Sequence, residues 1–145
     1  MDNDTIAAIA TPLGSGGIGV VRLSGPEAIG AARRILVSKE GTQPFGEEPD
    51  CDKIVSHQLR LCYLCDPKQG NVIDEVLAVV MKAPHSYTRE DVVELQSHAG
   101  FVVLSRILHA VLDTGVRMAE PGEFTKRAFL NGRIDLSQAE AISEM

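Results

Sequence analysis

Six consecutive residues, Val76-Leu77-Ala78-Val79-Val80-Met81, are apolar, and this run constrains the fold more than any other stretch. Successive side chains of a strand point to opposite faces, so a strand apolar on both faces is expected to be central in its sheet. It is expected inside a sheet, with Pro84 ending it. Just upstream, Asp66-Pro67-Lys68-Gln69-Gly70-Asn71 is turn chemistry. Together they predict a β-hairpin with strands over 54–65 and 72–82.

The rest of the chain alternates in type. Residues 5–10 read as a short strand, followed by Thr11-Pro12 and a glycine-rich loop from Gly14 to Gly19. A second strand, Ile18 to Leu23, follows at once. Ser24-Gly25-Pro26-Glu27 carries a Ser-x-x-Glu capping pattern and a proline in the first turn. The helix it predicts places Ile29, Ala32, Ile35 and Leu36 on one face and runs to about Val37. Residues 38–53 are rich in Gly, Pro and acids and read as a surface loop. Asp91 to His98 alternates as a strand, and Gly100 opens a helix with Phe101, Leu104, Leu108 and Val111 on one side and Gly115 at its C′ position. Pro121-Gly122-Glu123 starts a short helix to about Asn131. A second Ser-x-x-Glu box, from Ser137 to Glu140, opens a helix with no stop signal, which suggests truncation.

Composition narrows the function classes. Hydrophobic residues make up 44% of the 145, enough for a packed core and too many for a disordered chain. No apolar run approaches the roughly 18 residues of a membrane span. The first residues lack the pattern of a signal or transit peptide, so a cytoplasmic location is expected. Net charge is −6, from 14 basic against 20 acidic residues, with no basic stripe. Direct grip on nucleic acid by this chain is disfavoured, because phosphate neutralisation dominates such binding. Three cysteines is an odd count, as expected of reduced thiols. Cys62 and Cys65, with Cys51 and His57 upstream, suggest a zinc site; strand alternation would separate the pair, and no metal site is expected.

Gly14-Ser15-Gly16-Gly17-Ile18-Gly19 matches a dinucleotide-binding fingerprint literally. That motif needs a helix directly after the loop, so that N–H groups point at the pyrophosphate. Here the β-rich Val20-Val21-Arg22-Leu23 follows, which argues against it. Gly25 to Gly30 has P-loop spacing, but Ala31-Ala32 stands where Lys-Ser or Lys-Thr is required. No P-loop binding of GTP or ATP is expected. In Val92-Val93-Glu94-Leu95-Gln96-Ser97-His98, period-two geometry groups Val92, Glu94, Gln96 and His98 on one face. Such a polar row is either a solvated edge, which composition favours, or the wall of a polar site. Glu94 has the capacity to accept from two adjacent N–H donors, the pattern a pterin or guanine presents. Arg22, in a short strand beside a glycine loop, either caps an exposed edge or reaches an anionic or planar ligand. His109 is expected on a solvated helix face with Asp113 as its i,i+4 partner.

Several of these segments form long motifs: Asp4-Thr5-Ile6 with Ala10-Thr11-Pro12, Gly16 through Gly25, Ala83-Pro84-His85-Ser86-Tyr87-Thr88 with Glu90 through Glu94, and Ala119 through Leu136. Across nearly the whole chain they closely resemble the amino-terminal region of the tRNA-modification GTPase family, MnmE or TrmE. The resemblance implies an α+β fold, a mixed sheet flanked by helices, similar to the tetrahydrofolate-binding domain of the glycine-cleavage aminomethyltransferase. It implies a folate-binding and dimerisation domain over 1–118 and the start of a central helical domain over 119–145, with the G domain absent. The expected cofactor is 5-formyltetrahydrofolate or a related reduced folate, with GTP, Mg2+ and K+ confined to the G domain. Expected partners are a second copy of the chain, the flavoprotein MnmG (GidA), and tRNA through the complex.

Carried over onto this sequence, the family's folate contacts fall on Arg22, Glu94 and Arg133, the last where lysine is frequent. No catalytic residue is expected within these residues. His85 stands where asparagine is frequent, Arg89 where glycine is, and Ala99 where the family often has His-Gly-Gly. The alternative of another class is a free-standing folate-dependent transferase resembling the aminomethyltransferase.

Overall fold

The computed structural model describes residues 4–10, 17–38, 55–98 and 100–143. Much of the glycine loop, with most of the 38–53 segment, Cys51 and Ala99, lies outside the described residues. In chain order the elements are β1 (Ile6–Ile9), β2 (Ile18–Ser24), α1 (Ala28–Ile35), β3 (Leu36–Ser38), β4 (Arg60–Cys65), β5 (Val72–Met81), β6 (Val92–His98), α2 (Phe101–Asp113), β7 (Arg117–Met118), α3 (Glu123–Leu130) and α4 (Leu136–Ser143). The strands form one mixed seven-stranded sheet in the order β3-β4-β5-β6-β2-β1-β7. Among the described residues only the β1–β7 pairing is parallel. The class is α+β.

Alternation along the strands decides which face is covered. Ala7, Val21, Leu23, Val76, Ala78, Val80, Val93 and Leu95 point to one side. There they meet Ala28, Ala31, Ala32 and Ile35 of α1 and Leu104, Ile107, Ala110 and Val111 of α2. Fully burying an aliphatic side chain is worth about 1.5–3 kcal/mol, so this layer carries most of the stability. Close approach of α2 to β2 depends on Gly19, where an added Cβ would lie 2.5 Å from Leu104 Cδ1. The loop before β2 thus leads into a strand packed against a helix, and not into a helix of its own. The hairpin also forms: β4 and β5 pair antiparallel, with a bulge between Leu64 and Cys65. Its turn is tied by Lys68 and Gln69 N–H groups donating to Asp66 Oδ1.

Four expectations need correction. Ser24 does not cap α1. It ends β2, wholly buried, and its hydroxyl donates to Glu90 at 2.8 Å and shares a hydrogen bond with Thr88 at 2.7 Å. The helix starts later, and the Glu27 N–H finds its acceptor in the Thr5 hydroxyl, 2.7 Å away, so a tertiary contact replaces the local box. At α4 the reciprocal box is Asp135 with Gln138, each side chain accepting from the other's N–H at 2.7 and 2.8 Å, two residues before the expected one. Leu36 and Val37, in phase with the helix, leave it and pair with Leu64 and Tyr63 as β3. Strand β4 begins at Arg60, because the chain turns at His57 (φ 68°), whose N–H donates to Val80 O.

Cys62 is buried among the core residues and Cys65 is half-buried, where burial pushes its thiol up. Gly115, with φ 101°, occupies the C′ position of α2. His109 stands 3.9 Å from Asp113 on the same helix.

Gly25 is, among the described glycines, the one whose missing side chain faces backbone most closely. Its φ is 138°, and a Cβ there would sit 2.6 Å from the Thr5 Cα. Gly25→Ala is expected to destabilise the fold by about 2–4 kcal/mol, from backbone strain and overpacking together. Chemical denaturation checks this, with the midpoint falling and the slope unchanged.

Candidate functional site

The face of the sheet turned away from α1 and α2 is where the polar side chains converge. Alternation buries Val21 and Leu23 and sends Arg22 to this opposite face. Its register partner on β6 is Glu94, which is flanked on its other side by Val79 of β5. The solvated-edge reading of β6 is overturned, since β6 is the fourth of seven strands with β5 and β2 on either side. The same order rules out edge-capping for Arg22.

Nε and Nη2 of Arg22 both donate to Glu94 Oε1, at 3.3 Å each. Among the described residues, Glu94 Oε2 and Arg22 Nη1 have no hydrogen-bond partner. The side chains are 28% and 19% exposed. Among the described residues the pair therefore presents one unused acceptor and one unused donor from the middle of a sheet face. The Arg22 guanidinium also lies over the Phe124 ring, 5.6 Å from its centroid, within cation–π range.

A cavity of about 490 Å³ opens beside this pair, between the sheet and α3. Arg22, Ala8, Ile9, Tyr87, Phe124 and Thr125 are among its walls. Tyr87 Oη and Thr125 Oγ1 are hydrogen-bonded at 3.0 Å. Further along the same face a second cleft of about 520 Å³ is lined by Ile18, Leu61, Leu77, Gln96 and His98. Arg133 is not brought to the pair. It is exposed on the turn after α3, and among the described residues its side chain makes no hydrogen bond or ion pair.

Phe124 and Tyr87 escaped the reading of the sequence, as did an ion cluster beside the site. Arg127 is 3% exposed. Its Nη2 donates to Asp4 Oδ1 at 2.6 Å, and its Nη1 donates to the Asp4 carbonyl and to both Glu90 oxygens. Arg117 donates to Asp4 Oδ2 at 2.7 Å and to Glu123 Oε2 at 2.6 Å. The one available signal was the density of charge in Glu123-Phe124-Thr125-Lys126-Arg127, and local spacing does not reveal partners over a hundred residues away.

A family model described as the amino terminus of the GTP-binding protein TrmE matches residues 5–133. The chain belongs to this family. Among its relatives, a tRNA modification GTPase MnmE from Moorella thermoacetica is 54% identical over 145 residues, covering all of this chain and 30% of that protein. The MnmE of Carboxydothermus hydrogenoformans is 52% identical over the same span and shares, and that of Geobacillus kaustophilus is 52% identical over 142 residues, 98% of this chain and 29% of the relative. The chain thus spans about 30% of the length of these relatives.

Within this TrmE amino-terminal region, Arg89 occupies a left-handed conformation, φ 61°, which a glycine adopts freely. The arginine is held there by a bond from Nη1 to Asn131 O at 3.1 Å, while Asn131 Nδ2 donates to Thr88 O at 2.7 Å. His85 is exposed, and its N–H donates to Lys82 O.

The ion cluster sets a pH dependence. The hydrogen bond from Arg117, opposed by desolvation and supported by Arg127, holds the Asp4 carboxyl well below the usual carboxylate range. The same arginine, with the Glu120 N–H assisting against desolvation, lowers Glu123 to about 2. Both folded-state values are depressed, so the stability they confer is fully present above the unfolded value of about 4 and is lost as pH falls towards the folded one. Thermal midpoints should therefore drop steadily from about pH 5 to about pH 2. Arg117→Met should flatten that slope in scanning calorimetry at several pH values.

Proposed function

We propose that this chain is the folate-holding and dimer-forming amino-terminal part of a tRNA wobble-uridine modification GTPase. The observation that carries the reading is the Arg22–Glu94 pair at the centre of the open sheet face, beside a cavity walled by Phe124. Small-molecule sites of this kind occupy roughly 300–1,000 Å³ and combine apolar walls with a few placed polar groups. The Glu94 carboxylate is suited to the adjacent amino and ring N–H groups of a pterin, two parallel donors, and Phe124 offers the ring system an apolar wall. Arg22 and Arg133 are suited to the ligand's acceptors or its glutamate carboxylates, where a guanidinium binds in two-point fashion. The bound group is a reduced folate such as 5-formyltetrahydrofolate, which supplies a one-carbon unit.

In this reading residues 1–118 hold the ligand and the dimer, and 119–145 open a helical domain whose first helix reaches back to wall the site. This arrangement follows the tetrahydrofolate-binding domain of the aminomethyltransferase. GTP hydrolysis, with Mg2+ and K+, belongs to a G domain outside these residues. The flavoprotein MnmG and tRNA engage the whole protein in the cytoplasm. Membership in the TrmE family favours this assignment over a free-standing aminomethyltransferase-like enzyme.

Calorimetric titration with 5-formyltetrahydrofolate tests the cofactor. Saturable binding is expected, weakened at least tenfold, or about 1.4 kcal/mol, by Glu94→Gln, which removes a charge-assisted acceptor. No heat, or binding indifferent to that substitution, would reject the assignment. Sedimentation velocity tests the assembly: a dimer is expected at micromolar concentration, and a clean monomer would contradict it.

A further inference from the structure

Helix α3 supplies Phe124 to the site, yet little apolar packing holds that helix in place. Of its eight residues only Arg127 and Ala128 are buried. A helix this short does not persist alone, so its placement is set by its tertiary bonds. The strongest of these run through Arg127. Its guanidinium reaches Asp4, which precedes β1, and Glu90, which precedes β6. Glu90 in turn accepts from Ser24 at the end of β2. One side chain therefore ties α3 to the ends of the three strands β1, β2 and β6. Arg22 and Glu94 project from two of those strands, Arg22 two residues before Ser24 and Glu94 four residues after Glu90.

Helical geometry links this anchor to the site. Arg127 follows Phe124 by three residues, about 60° around the helix and about 4.5 Å along it. Fixing one fixes the approach of the other. We propose that Arg127 is the positioning residue of this site, docking α3 so that Phe124 is held against Arg22 and walls the cavity beside Glu94. Arg127 is not among the residues lining that cavity; it acts through Phe124. The ligand half of the proposal rests on the folate reading above, and the helix half stands without it.

Two measurements separate these halves. In protein labelled with 4-fluorophenylalanine, the Phe124 resonance is identified by its loss in Phe124→Leu. Arg22→Ala should shift it by removing the stacked cation. Arg127→Met should shift it too, leaving the Phe101 resonance on the far side of the sheet unmoved. An unshifted Phe124 resonance in folded Arg127→Met overturns the proposal, whatever the ligand. If that variant does not fold, Glu90→Gln removes one of the anchoring charges; the same shift is expected of it, and an unshifted resonance overturns the proposal equally.

The second measurement is a double-variant cycle on 5-formyltetrahydrofolate binding. Arg127→Met and Phe124→Leu should each weaken binding at least tenfold, and the combination should be no weaker than Phe124→Leu alone. Fully multiplicative losses would mean that Arg127 acts by a route other than Phe124, and would overturn the proposal. Should the protein bind no reduced folate while the fluorine shifts appear as expected, the folate reading fails and the positioning role of Arg127 stands.

Discussion

A guanidinium cannot be deprotonated at any ordinary pH, so burying one commits the surrounding structure to answering it with carboxylates and carbonyls. Arg127 makes that demand here, and Asp4, Glu90 and Glu123 answer it. Three segments that are far apart in sequence meet on one side chain: the entry to the first strand, the entry to the central strand, and a helix near the end of the chain. Arg117 then binds two of the same carboxylates from the outside. The resulting cluster has alternating signs, and its arginines hold the Asp4 and Glu123 carboxyls below the usual carboxylate range.

The two faces of the sheet are unequal because their side chains are unequal. One face is mainly aliphatic along its central strands, with Ser97 the polar exception on β6, and is sealed by α1 and α2. The other carries the Ala8, Arg22, Glu94 and Val79 row, then a Val20, Gln96, Leu77 and Leu61 row, and no described helix covers most of it. Only at the end nearest Ser24 and Val92, both fully buried, do the loop before β6 and α3 close over it. The site sits at the boundary between the covered and the open parts. A charged pair placed there is shielded enough to be directional and open enough to meet a ligand.

How much of this was legible beforehand depended on the range of the interaction. The apolar run 76–81 correctly placed β5 within the sheet, and the Asp66 turn predicted the hairpin, because both are local patterns. Period-two alternation put Glu94 and Gln96 on one face, but it could not say that β6 is central, since strand order depends on pairings over seventy residues. Ser24 was misread for the same reason: its sequence neighbours spelled a cap, while its partners Thr88 and Glu90 lie more than sixty residues on. Arg22 and Glu94 emerged as candidates, and the structure places them in contact. Arg133 came from the resemblance alone, and among the described residues it makes no hydrogen bond or ion pair with them. Phe124 was missed because two phenylalanines five residues apart in a short helix, Phe124 and Phe129, carry no spacing signal.

The parallel pairing of β1 with β7 bears on how the chain is made as well as on how it stands. β1 finds β2 as soon as the first hairpin-like pair is synthesised, but its other edge waits for Arg117 and Met118. Asp4 waits longer still, for an arginine 123 residues later. During translation the first strand is therefore left with an open hydrogen-bonding edge until almost the whole domain has left the ribosome. In order of synthesis the β4–β5 hairpin is complete before the amino-terminal edge and the candidate site, which wait for β7 and α3.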